Sequence, residues 1–372
     1  MKSKINTLFS SSHAQSFSLS KKYPSKRIKE MVSGSVQTTI NVQKGGLDPV
    51  YTNVIDPDTV LPAKKGLRYV LDNWMLGRLE HITQAQFRIS ELHPEELKTL
   101  GSKKYGIDWV IVQSVNASCG IEGKAVHVDK LSLIQSPVTK DIHDGERLSA
   151  EDKKRIEGIR DIYQTYIWAL FDKSKSDPIL SIDFILESHK RMFEKTERNA
   201  GKLKKKPVAI VGAGHNVLTL PVEKVELYLK KLCEEFCRKW TESNESFLYN
   251  KFLLIAEFAV DFLAIHPFSD GNGRMARFLS TYLLERSGYH FARFYPLDNI
   301  ILENKTEYYD ALSSGQKNWY GCNEDITPWI EFYIKIVSEQ CDRAYARVKT
   351  AYIDEQKKSE KEPGKGSGQK ES

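Results

Sequence analysis

From Phe247 to Ile265 the chain is apolar nearly all round the helical period, which marks a helix that other elements must cover on every side. Its candidate partners are legible at helical spacing. Leu67 to Arg78 presents Leu67, Val70, Leu71, Trp74 and Met75 on one face, and Lys153 to Phe171 repeats the pattern through Ile156, Ile159, Ile162, Tyr163, Tyr166 and Leu170. Ser181 to Phe193 opens on a capping residue, and Val222 to Trp240 carries Val225, Leu229, Leu232 and Phe236. Arg274 to Ser287 aligns Met275, Phe278, Leu279, Tyr282 and Leu283 before Gly288, and Trp329 to Ala346 supplies a last long helix. The spacing predicts an all-α helical bundle without internal repeats. One segment departs from it: Lys206 to Leu220 holds two β-prone runs around Gly212-Ala213-Gly214 and reads as a small β-hairpin flap. A lone hairpin is marginal in water, so it must lean on the helices or on a ligand, either as a structural flap or as an edge that pairs with an extended peptide.

Composition bounds the rest. Residues 1–29 contain no Asp or Glu and many Ser, and from about Glu355 the chain is Lys, Glu, Gly and Ser, so neither end is expected to bury a core. The expected organisation is an irregular or disordered region over 1–64, a helical region over 65–147, the main body over 148–350 and a disordered tail over 351–372. No apolar run is long enough for a membrane-spanning helix. Cys119, Cys233, Cys237, Cys322 and Cys341 are too sparse for a disulfide framework, which points to a reducing, cytoplasmic setting. A net charge of +6 over 372 residues does not by itself imply nucleic acid.

The chemistry lies in His266-Pro267-Phe268-Ser269-Asp270-Gly271-Asn272-Gly273-Arg274-Met275-Ala276-Arg277. Pro267 ends the core helix near His266, and a new helix is expected from about Arg274. Gly271, Asn272 and Gly273 therefore expose backbone N–H groups at a helix N-terminus, where the dipole favours an anion. Arg274 and Arg277 on the first turn oppose that dipole, an arrangement that suits a polyphosphate. Asp270 would repel such an anion unless a divalent cation bridges them, and Mg²⁺ commonly uses one carboxylate together with substrate phosphates. His266 is the natural proton acceptor for an incoming hydroxyl. Together these parts describe a phosphoryl- or nucleotidyl-transfer site without a Walker loop.

This stretch resembles the Fic-family signature, His-x-Phe-x-(Asp/Glu)-Gly-Asn-Gly-Arg-x-x-Arg, at every defined position, and the likeness runs from about Leu148 to Ala346. The resemblance implies an all-α Fic fold with a β-hairpin flap, and a protein adenylyltransferase that moves AMP from ATP to a Ser, Thr or Tyr hydroxyl of a target protein. It implies His266 as general base, Phe268 as the packing residue of the loop, and Asp270 as the Mg²⁺ ligand. Gly271, Asn272 and Gly273 would form the anion hole, Arg274 would support the phosphates, and Arg277 would meet the γ-phosphate. Tyr309, Leu312 and Gln316 match positions that line the adenine pocket, with core packing an equal reading for Tyr308-Tyr309, and Val211 and Gly212 would touch nucleotide or target backbone. No DNA-binding module and no membrane contact is implied, and homodimer formation stays open.

Upstream, Ser118-Cys119-Gly120-Ile121-Glu122-Gly123 matches the short inhibitory pattern (Ser/Thr)-x-x-x-Glu-(Gly/Asn) of the Fic class with an N-terminal inhibitory helix. By that likeness Glu122 would pair with Arg277 and occupy the place of the γ-phosphate. The same glutamate leaves alternatives open: a hydrolase that removes AMP from a modified protein, transfer of another phosphate-bearing group, or a module that only binds nucleotide. Cys233 and Cys237 lack the further ligands of a metal site. His189 is expected to pack structurally, and Lys202 to Lys206 to form a solvated basic face.

Overall fold

A computed structural model describes residues 54–55, 66–90, 106–135, 148–172, 178–212, 215–245, 250–317, 319 and 324–361. In chain order the elements are β1 (Val54–Ile55), β2 (Gly66–Leu67), α1 (Asn73–Ser90), α2 (Ile107–Ile121), α3 (Ser132–Gln135), α4 (Ala150–Ile167) and α5 (Ile182–Phe193). There follow β3 (Ala209–Gly212), β4 (His215–Leu218), α6 (Val222–Glu245), α7 (Lys251–Ile265), α8 (Asn272–Arg286), α9 (Leu297–Glu303), α10 (Lys305–Gln316) and α11 (Thr327–Lys361).

The apolar stretch is the central helix α7. Asn250 caps it, its side chain accepting from the N–H groups of Phe252 and Leu253, and every residue from Phe252 to Ile265 is buried. Helices α6, α8, α10 and α11 pack around it, which is why no polar face is needed. Two acids nevertheless lie on this helix, Glu257 and Asp261, and both are met by Arg68. The Arg68 guanidinium reaches Asp261 through both terminal nitrogens, Glu257 at 3.4 Å, and Glu324 at 3.1 Å through Nε. Trp319 Nε1 donates to Asp261 at 2.8 Å and the Tyr69 hydroxyl donates to Glu257 at 3.1 Å.

That cluster moves the first helix. The sequence pattern places a helix over Leu67 to Arg78, whereas Leu67 pairs with Val54 in a two-residue bridge and α1 starts at Asn73. Asp72 accepts the Met75 N–H at 2.8 Å, the cap that sets this start. Val70 and Trp74, read as core-facing, are 41% and 42% exposed, while Tyr69, Leu71 and Met75 are buried. At the other end α11 runs to Lys361, into the segment expected to be a disordered tail, and residues 362–372 lie outside the described set. The expected irregular region over 1–64 also lies outside it apart from Val54–Ile55.

Ser149 and Ser181 cap α4 and α5, accepting the N–H groups of Asp152 and Phe184 at 3.0 and 3.1 Å. β3 pairs antiparallel with β4, Ala209 opposite Leu218 and Gly212 opposite His215, and the turn at 213–214 lies outside the described residues. Among the described residues no helix is long and apolar enough to cross a membrane.

Candidate active site

Helix α7 ends at a left-handed residue, His266, with φ 50° and ψ 63°, the one non-glycine at positive φ among the described residues. This conformation is sterically costly for an L-residue, and it turns the chain sharply into Pro267. The His266 ring approaches Leu263 O through Nδ1 at 3.3 Å, so a proton on Nδ1 leaves Nε2 with its lone pair free to accept another. Burial, seconded by the nearby Lys204 charge, pulls the imidazole down to about 4, so it is neutral at physiological pH.

The loop beyond it is held from inside. The Phe268 N–H donates to Asn272 Oδ1 and the Asn272 side-chain amide returns a bond to Phe268 O, both at 2.9 Å. Phe268 is fully buried and its ring stacks on His189 with centroids 3.7 Å apart. His189 Nδ1 accepts the Gly201 N–H at 2.9 Å, which fixes the tautomer, and Nε2 donates to Asp270 O at 3.0 Å. Burial also pulls His189 down to about 4, consistent with a neutral structural ring. Gly271 adopts φ 83°, and a Cβ there would lie 2.6 Å from a Phe193 ring carbon, so this turn admits only glycine.

Helix α8 begins at Asn272 rather than Arg274, because Gly271 is its N-cap and Gly271 O takes the first intrahelical bond, from Met275 N at 2.9 Å. The amides of Asn272, Gly273 and Arg274 precede that bond and open the helix mouth. The Asn272 side chain is spent inside the loop, so its contribution to the mouth is its backbone. A Cβ at Gly273 would stand 2.9 Å from Glu122 Oε1 and 3.0 Å from Arg277 Nη1, so glycine leaves the approach to this mouth clear.

What stands there is Glu122. It follows α2, whose end is closed by Gly123 at φ 73°, and its carboxylate bridges Arg277 Nη2 at 3.0 Å and Arg274 Nε at 2.7 Å. Arg277 is held from behind as well: Nε donates to Ser118 Oγ at 2.8 Å, Nη2 to Ser118 O at 3.0 Å, and Asp298 lies 3.3 Å away. The Ser114 hydroxyl donates to Asp298 at 2.5 Å, and burial pushes the Asp298 carboxyl up against these partners. Arg274 lies over the Phe193 ring at 4.5 Å and reaches Asp270 at 3.1 Å. Asp270 also pairs with Lys124 at 3.1 Å and accepts the Gly271 N–H at 2.7 Å. Burial would raise this carboxyl, but Arg274, Lys124 and that amide bring it down to about 2. Glu197 lies beside it, its own carboxyl raised by burial and by the Asp270 charge. A cleft of about 330 Å³, lined in part by Lys124, Lys154, Arg155, Glu197 and Phe193, opens on Arg274.

The signature residues and the upstream Ser118 and Glu122 thus converge on one helix mouth. Among the remaining candidates, Tyr308 and Tyr309 stand close enough to Arg277 and Glu122 to interact with both charges. Leu312 and Gln316 are buried on α10 and Tyr309 is half-buried there; Gln316 Nε2 is buried without a hydrogen-bond partner among the described residues. Tyr308 packs against the rings of Tyr309, Trp329 and Phe332, and its hydroxyl meets Arg277. Val211 and Gly212 sit on β3, opposite Asn216 and His215. Cys233 is buried and the Cys237 thiol donates to Leu180 O at 3.1 Å; among the described residues no cluster of His, Cys, Asp and Glu is arranged to hold a metal by itself. Sequence reasoning missed Lys124, Glu197, Lys204 and Asp298, which reach the site from distant elements and carry no local motif.

Residues 179–284 match the Fic/DOC family. The proteins named protein adenylyltransferase Fic of Aedes aegypti and Culex quinquefasciatus are 27% and 28% identical over 258 residues, 68% of this chain and 46% of theirs. The chain thus spans about half the length of these curated relatives. Among solved structures, a Fic family protein from Desulfovibrio desulfuricans superposes with a TM-score of 0.59 at 20% identity, covering 75% of this chain and 76% of the other. Residues 134–508 of Fic-1 from C. elegans superpose with a TM-score of 0.53 at 19% identity, covering 77% and 74%. The signature and its geometry thus fall within the stretch that matches the Fic/DOC family, and the fold is shared with these solved structures.

Proposed function

We propose that this chain is a protein adenylyltransferase, transferring AMP from ATP to a Ser, Thr or Tyr hydroxyl of a target protein, and that Glu122 holds it in check. The observation that carries the reading is the Glu122 carboxylate bridging Arg274 and Arg277 at the amide mouth of α8, with His266 ending the preceding helix. A carboxylate placed there stands in for a phosphate, and the groups that bind it are those a triphosphate requires. The names of the relatives support the same activity.

In this mechanism His266 Nε2 accepts the proton of the target hydroxyl as its oxygen attacks the α-phosphorus in line with the departing pyrophosphate. One P–O bond forms to the target and one breaks to the leaving group. The amides of Asn272, Gly273 and Arg274 stabilise charge on the transferring phosphate, while Arg274 and Arg277 neutralise the pyrophosphate. The buried amide of Gln316, with Tyr309 and Leu312, supplies a donor and apolar walls for the base. Mg²⁺ suits the donor set: Asp270 is a single ionised carboxylate, partly open to solvent, and would hold the ion against the phosphates to neutralise their charge. With Glu122 on Arg277 the γ-phosphate has no seat, and a bound triphosphate is denied the reactive pose.

ATP labelled at the α- or the γ-phosphate tests the reading. Label from the α position should be retained on protein, and His266→Ala should lower that transfer by about 10²–10⁴-fold. Retention of γ label would mean phosphorylation instead. Release of AMP from a modified protein, with no transfer in a Glu122→Gly chain, would mean hydrolysis.

A further inference from the structure

Lys204 lies within the basic run Lys202 to Lys206, yet it is the one buried lysine among the described residues, 2% exposed. Its backbone N–H donates to Pro267 O at 2.9 Å. Its ammonium donates to Ile265 O at 3.2 Å and to Thr219 Oγ1 at 2.7 Å. The carbonyls immediately before and after His266 are thus both bound by one residue. The Thr219 hydroxyl in turn donates to Val208 O at 2.6 Å, closing the base of the hairpin just outside the Ala209–Leu218 pair.

An ammonium is costly to bury, and the two groups named here that meet it are neutral, so burial draws its pKa down to about 8. Part of that cost is offset by its place at the carbonyl end of α7, where the helix dipole favours a cation. Closing the hairpin would need only the bond to Thr219. The two bonds that straddle His266 are surplus to that task, and they fall on the residue whose left-handed backbone aims the imidazole.

We infer that Lys204 is a positioning residue for the transfer reaction: it clamps the backbone on both sides of His266, ties that clamp to the hairpin base, and sets a fixed positive charge near the ring. The inference rests on His266 acting as the base. The other charged groups acting on the ring are Asp270 and Glu122, and both favour the imidazolium, so Lys204 is the charge that opposes them. Removing it should free the ring to move and make it easier to protonate.

The test compares Lys204→Met, Lys204→Gln and Lys204→Arg. In a Glu122→Gly background supplied with α-labelled ATP, Lys204→Met should lower kcat about tenfold or more with KM for ATP within about twofold, the signature of a misaligned base rather than lost binding. Lys204→Arg keeps the charge and donors and should restore most of kcat. On the natural sequence, NMR titration of the His266 ring, assigned through His266→Ala, should move its midpoint up by roughly one pH unit in Lys204→Met and not in Lys204→Arg. Lys204→Gln retains a donor without the charge; should Lys204→Met fail to fold, it is expected to show the same raised midpoint. An unmoved midpoint and unchanged kcat in the uncharged variant overturns the inference, as does a loss that arginine fails to rescue. Absence of AMP transfer from every chain would count against the proposed activity alone, because the ring titration reads the clamp without it.

Discussion

Arg68 and Glu122 each stand at the centre of a cluster of opposite charge, and the two clusters are built as inverses. Around Arg68, three carboxylates converge on one guanidinium, every member is buried, and Tyr69 and Trp319 supply further bonds from the side. Around Glu122, two guanidiniums converge on one carboxylate whose side chain is still 20% exposed. The central arginine of the first cluster has no neutral substitute, and no solute can reach it. Those of the second have other supports, Ser118 and Asp298 behind Arg277, and Phe193 and Asp270 beside Arg274, so the carboxylate between them can leave without dismantling the rest. A charge cluster that holds a fold is closed around its centre. One that would serve the proposed reaction needs a centre that can be exchanged for a ligand.

The largest expected effect tests the closed cluster. Arg68→Met removes the charge that three buried carboxylates share, and should cost about 3–5 kcal/mol of stability, because breaking a buried ion cluster leaves uncompensated charge behind. Urea unfolding would read this directly. A loss below about 1 kcal/mol would place Arg68 with ordinary surface pairs and end the contrast.

Glu122→Gly tests the open cluster and should behave in the opposite way. Stability should change by only about 1 kcal/mol, while AMP transfer from α-labelled ATP should rise about tenfold or more, equivalent to ~1.4 kcal/mol in the barrier. Calorimetric ATP affinity should rise or hold. An unchanged rate with ATP binding intact would show that the carboxylate is structural despite its position.

These clusters also mark how far the sequence could be read. The candidate site was legible because its core is contiguous: twelve residues from His266 to Arg277 carry imidazole, carboxylate, amide mouth and arginines on one helix–loop–helix turn. Glu122 was legible through a short motif, although the second arm of its contact, to Arg274, was not. Arg68 left no trace, since its partners Glu257, Asp261 and Glu324 are 189 to 256 positions away and nothing local distinguishes it from a surface arginine. Lys204 was misread as part of a solvated face because a run of lysines looks alike until tertiary contacts bury one of them. The helix starts show the same limit at finer scale. Gly271 and Asp72 set where α8 and α1 begin through a positive φ and a side-chain cap, while the apolar period alone fixed one start two residues late and the other several residues early.

The smallest effect, set by pH, asks where acid first damages the molecule. Burial pulls both His266 and His189 down to about 4, from the 6.5 or so of an unfolded chain. Between those values the unfolded state takes up protons that the folded state refuses. The stability contributed by the two neutral rings is therefore complete above about pH 6.5 and is lost as pH falls toward 4. From pH 7 to 5.5 the loss should be roughly 1 kcal/mol per ring. Arg68 keeps its charge throughout this interval, so the decline read from these two rings belongs to the loop around His266 and not to the guanidinium of the closed cluster. Urea unfolding at several pH values should trace it, and His266→Ala should keep only the share of His189. A stability that stays flat from pH 7 to 5.5 would mean that the rings accept protons inside the fold. The base would then be half-protonated near neutrality, and transfer would fall off on the acid side around pH 6.5 instead of around pH 4.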